Sequence, residues 1–112
     1  MRNNSIDKLI EELSNQVEVN NPKRIKRYLL RFRDLIDLVP VAISIAKKHF
    51  PEAGIVLDVY VDPETEDSYI ILYIRLRQYD ASFIERLEVA ESESLPLLTN
   101  KKGWLQLTTD FY

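Results

Sequence analysis

The sequence contains no cysteine. Disulfide frameworks, thiolate zinc sites and cysteine nucleophiles are excluded together. Glycine is nearly absent, with only Gly54 and Gly103 in 112 residues. Phosphate-cradling loops and dinucleotide fingerprints need several glycines at fixed spacing, so neither can be built. There is one histidine, His49, with no triad-type partner near it in sequence. It follows Lys47-Lys48 where an apolar stretch ends, so it reads as a solvated residue at a helix C-terminus, where positive charge is favoured. No serine sits in a nucleophile elbow. Long apolar runs are missing as well. Tyr69 to Ile74, among the longest, is far shorter than a membrane span requires. The N-terminal residues hold no apolar signal core, so the expected location is the cytoplasm.

What is present suits one folded domain. Hydrophobic residues make up 46% and charged residues 29%, too apolar a mixture for a disordered chain. A chain of this length buries roughly two-thirds of its unfolded surface and can hold a core without metals or disulfides. The expectation is a single α+β domain over 1–112, with a helical hairpin over 1–38 and an α-ββ-α-β portion over 39–112. The net charge of −3 is unevenly spread. Residues 1–50 hold ten Lys/Arg and six Asp/Glu, a net of +4; residues 51–112 hold five and twelve, a net of −7. The simplest reading is that the halves neutralise each other, within one molecule or across a dimer. A basic arm for an acidic partner is the alternative.

Hydrophobic spacing divides the chain. Ser5 is a suitable N-cap, and Ile6, Leu9, Ile10, Leu13 and Val17 follow helical spacing, which predicts a first helix from Ile6 to Glu18. Asn21 can cap a second helix, with Pro22 at its first position. Ile25, Tyr28, Leu29, Phe32, Leu35, Ile36 and Val39 form one apolar stripe that carries this helix to about Leu38. Pro40 should bend or restart the chain into a third helix ending near His49. The period then changes to alternation. Ile55, Leu57, Val59 and Val61 share one face of a strand; Ile70, Leu72, Ile74 and Leu76 share one face of the next. Between them, Asp62 to Asp67 is turn chemistry, and a symmetric turn pairs Val59 with Ile70 and Leu57 with Leu72. Asp80 caps a fourth helix with Phe83, Ile84, Leu87 and Ala90 inward. Trp104 to Thr109 form a last strand. The expected order is ααα-ββ-α-β, with a small three-stranded, mainly antiparallel sheet; the helical crossover lays the third strand parallel in direction to the second, and it could pair antiparallel beside the first, with the strand order left open.

No catalytic residues, metal ligands or cofactor emerge from this reading. The carboxylates Asp58, Asp62, Glu64, Glu66 and Asp67 lack EF-hand spacing and its glycine, so they read as an acidic loop that keeps the sheet hydrated. A carboxylate-bound metal enzyme stands only as the third reading. Two groups of residues are better candidates for binding. Arg24, Arg27 and Arg31 lie along one edge of the second helix, though Asp34 and Asp37 interrupt the basic stripe. The sheet face opposite the aliphatic core would present Tyr60, Tyr69, Tyr73, Arg75, Arg77 and Trp104, with Gln106 and Thr108. Tyr, Trp and Arg are the residue types enriched in interaction hot spots. Either this face binds a partner, or the N-terminal helices cover it. The favoured reading is a non-catalytic binding or regulatory protein, an accessory subunit or antitoxin-like factor, whose partner is another protein or a second copy. The alternative is a nucleic-acid-binding protein using the basic edge and the aromatic face.

Overall fold

The structure is a computed structural model and describes residues 2–109. Its elements are helix α1 (Arg2–Ser14), strand β1 (Glu18–Val19), α2 (Pro22–Arg31), a 3₁₀ turn (Arg33–Leu35) and α3 (Leu38–His49). Then come β2 (Gly54–Val61), β3 (Ser68–Arg75), α4 (Ser82–Ser94), a second 3₁₀ turn (Leu95–Leu98) and β4 (Leu105–Thr109). The architecture is mixed α+β, as the change of period implied. Among the described residues no helix is long and apolar enough to cross a membrane.

The hairpin forms in the expected register. Val59 pairs with Ile70 and Leu57 with Leu72, so both aliphatic rows face the same way. The sheet around it differs from expectation. It has four strands in the order β1-β2-β3-β4, and only β2–β3 is antiparallel. The last strand does not pair beside β2. The two residues of β1 take that edge, with Val19 opposite Leu57. The crossover through α4 therefore returns β4 parallel to β3, with Leu105 opposite Ile70 and Leu107 opposite Leu72. That register adds both leucines to the aliphatic row.

The helix boundaries also shift. The first helix starts at Arg2, so Ser5 lies inside it rather than at its cap; nothing in residues 2–4 breaks a helix already nucleated downstream. It ends at Ser14 because Glu18 and Val19 are drawn into the sheet. Asn21 occupies the cap of α2 at a left-handed φ of 51°, but its side chain makes no cap bond and donates instead to Asp58. The second helix stops at Arg31, well short of Leu38. Phe32 leaves the helical region, and the 3₁₀ turn packs Leu35 into the core against Gly103. Pro40 falls in the first turn of α3, where the missing N–H has no intrahelical partner, so it neither bends nor ends that helix.

All four helices feed one core. Ile6, Ile25, Leu29, Val39, Ile43, Phe50, Phe83 and Ala90 join Leu57, Leu72, Ile74 and Leu107 in it. The rotation of α4 is set by Phe83, whose ring meets Tyr79 edge-on at 4.6 Å and lies 5.3 Å from Phe50. That rotation turns Ile84 outward, 58% exposed, contrary to its expected inward position. Arg86 ties α4 to the end of α3. Its Nε and Nη2 donate to the His49 carbonyl at 3.0 and 2.7 Å, its Nη2 reaches Glu52, and its guanidinium lies over the Phe50 ring. His49 itself is no solvated cap. Its Nε2 contacts the Glu93 carboxylate, which Lys48 also engages at 2.9 Å.

Candidate functional site

The sheet has one covered face and one that no described helix packs on. The core takes Ile55, Leu57, Val59, Ile70, Leu72, Ile74, Leu105 and Leu107 from the sheet, all from one side. Strand alternation sends Val56, Asp58, Tyr60, Tyr69, Ile71, Tyr73, Arg75, Gln106 and Thr108 to the other side. Val56 and Ile71 are buried there yet lie outside the helical core.

Register organises this face into rows. Tyr60 faces Tyr69, with ring centroids 5.2 Å apart. Such pairs contribute about 0.5–1.5 kcal/mol beyond area burial. Leu105 pairs with Ile70, so Trp104 comes level with Tyr69 and completes an aromatic row next to the hairpin loop. Tyr60 is 38% exposed and Trp104 is 43% exposed. The Trp104 Nε1–H donates to the Gln106 side chain at 3.3 Å. The centre of the face holds Ile71 between Asp58 and Gln106. At the far end Tyr73 lies between Val56 and Thr108, and Arg75 closes β3. Tyr73 and Arg75 are half-buried and both are engaged in interactions. Arg77 does not belong to this set; it lies past the end of β3, in the bend before Tyr79.

Asp62, Glu64, Glu66 and Asp67 cluster in the hairpin loop beside the aromatic row, while at the opposite end Arg75 shares its surroundings with Glu18, which lies opposite Val56. The loop carboxylates have local work. Asp62 Oδ1 accepts the N–H groups of Glu64 and Thr65, and Glu66 sits at a positive φ of 64°. Among the described residues no three potential metal-binding side chains gather together.

Arg24, Arg27 and Arg31 sit elsewhere. They project from α2 above Val59 and Val61, which belong to the helix side of the sheet. The basic edge and the aromatic face are thus on opposite sides of the sheet and do not form one surface. Tyr28 lies between Arg27 and Arg31 in the same helix. Its hydroxyl accepts the Trp104 N–H at 3.0 Å and approaches the Trp104 carbonyl at 3.4 Å. Burial raises its pKa, opposed by the hydrogen bond with Trp104. Sequence reasoning missed this tie, since nothing in the spacing brings residues 28 and 104 together.

Comparison with known families, with curated proteins and with solved structures finds no match to this chain.

Proposed function

We propose that this chain is a small binding or regulatory protein that works through protein–protein contact, using the face of its sheet that no described helix covers. The occupant we assign to that face is a second copy of the chain. One observation carries the reading: the row Tyr60, Tyr69 and Trp104 lies on a sheet face that no described helix packs on.

Self-complementarity argues for the second copy. In a twofold pair stacked face to face, an axis running across the strands sets the hairpin end of one sheet over the Arg75 end of the other. Each aromatic row then lies over the Tyr73 and Thr108 end of its partner. The three aromatic side chains supply the hot-spot chemistry.

Sedimentation over a concentration series tests this. The wild type should form a dimer by roughly 0.1 mM, a concentration that detects contacts worth about 5 kcal/mol or more. The Tyr69→Ala/Trp104→Ala variant should stay monomeric while keeping a cooperative denaturation curve. A wild type that remains monomeric throughout, or a variant that dimerises equally well, would refute the reading.

A further inference from the structure

The arginine edge of α2 forms one wall of a cleft. Arg24, Arg27 and Arg31 recur at spacings of three and four, so they project from one side of the helix. That side overhangs the end of the β2–β3 hairpin. The ring of Tyr28 with Val59 and Val61 provides an apolar floor, Ser68 adds a polar edge, and the space between is about 350 Å³. The Tyr28 hydroxyl is occupied by the Trp104 backbone, so this residue offers its ring. Val61 is 44% exposed, a large aliphatic side chain open to whatever enters.

The charged side chains that α2 contributes to this cleft are all basic. Lys26 takes Asp7 at 2.9 Å, and among the described residues Arg24 and Arg27 have no ion-pair partner. Arg31 lies over the Phe32 ring at 4.9 Å. Like charges at these helical spacings repel, and an anion bound between them would relieve that repulsion. Two features narrow the anion. The floor is aliphatic and aromatic, which suits an apolar body rather than a bare phosphate. The loop bearing Asp62, Glu64, Glu66 and Asp67 begins directly after Val61 and ends directly before Ser68. A polyanion following the arginines would therefore meet four carboxylates. The size of the cleft lies at the small end of the range for small-molecule sites.

We infer that this cleft binds a compact carboxylic acid with an apolar body. Neighbouring guanidinium groups hold the carboxylate, and the body rests on Tyr28, Val59 and Val61. An NMR titration with hydrocinnamate tests the assignment. Saturable shifts should appear at residues 24–31, 59–61 and 68. The uncharged amide of the same acid should bind at least about tenfold more weakly, because charge-assisted hydrogen bonds to the guanidinium are lost. Arg27→Gln should show a similar loss, and Val61→Asp should abolish the shifts. Arg33→Gln makes the same charge change outside the cleft and should leave binding intact. The inference fails if hydrocinnamate gives no saturable shift at these residues. It also fails if Arg33→Gln weakens binding as much as Arg27→Gln does. Tighter binding of inorganic phosphate or of a single-stranded oligonucleotide to the same residues would overturn it too.

Discussion

A Cβ placed on Gly103 would come within 2.7 Å of the Leu35 side chain and 2.9 Å of Phe32 Cβ. Gly103 is buried, and its missing side chain lets the approach to β4 press against the turn where α2 stops. The neighbouring Lys102 N–H donates to the Asp34 carboxylate in the same turn. Gly103→Ala should destabilise the fold by about 1–3 kcal/mol through overpacking. An unchanged urea midpoint would mean that the Phe32–Leu35 turn moves aside freely. Tyr28 makes a second tie between the same regions. Tyr28→Phe removes the acceptor of the Trp104 N–H, and leaving that donor unpaired should cost about 1–3 kcal/mol. A denaturation curve within about 0.5 kcal/mol of wild type would show that water replaces the hydroxyl. Neither tie was legible in the sequence. Gly103 carried no signal of a close approach and Tyr28 read only as a member of an apolar stripe, because both roles depend on contacts between distant parts of the chain.

Among the elements, the β2–β3 hairpin was the most legible. Two alternating runs around a Pro-containing turn leave one register in which both aliphatic faces coincide, and Leu72 lies fully buried opposite Leu57. Leu72→Ala should cost about 2–5 kcal/mol, from lost transfer energy and the cavity left behind. A denaturant midpoint equal to wild type would contradict the packing described. Strand β1 was illegible because two residues show no period. The stop of α2 was illegible because its apolar stripe continues through Leu35, and tertiary packing against Gly103 overrides helical continuity. The junction of α3 and α4 carries a pH dependence. The hydrogen bond from Arg86 lowers the Glu52 pKa, and hydrogen bonds from Lys48 and then His49 lower that of Glu93, both from 4.5. A carboxylate with a depressed folded pKa contributes stability that is present above its unfolded value and is lost as pH falls through the folded one. These pairs should therefore weaken as pH drops below 4.5. Both carboxylates are well solvated, so each contribution is small. The Glu52→Gln/Glu93→Gln variant should lose less stability on acidification than the wild type, measured by thermal unfolding across that range. Parallel acid limbs for the two proteins would remove these pairs from the account.

Across the whole molecule, two helical crossovers and the N-terminal helix lie on one side of a four-stranded mixed sheet. Alternation assigned most residues of the second face, but it carried Arg77 past the end of β3 and gave no sign of Glu18 on β1. It did not show whether helices cover that face, since that depends on the side of the sheet the crossovers take. The basic edge and the aromatic face looked like partners in one surface for the same reason, and the sheet separates them. The paired-face account rests on the aromatic row at one end of the second face. Isotope-filtered NOE spectroscopy on a mixture of labelled and unlabelled chains tests it most directly. The account predicts contacts between the rings of Tyr60, Tyr69 and Trp104 in one copy and Tyr73, Arg75 and Thr108 in the other. Intermolecular contacts confined to the helices, or none at all at concentrations where the chain sediments as a dimer, would contradict it.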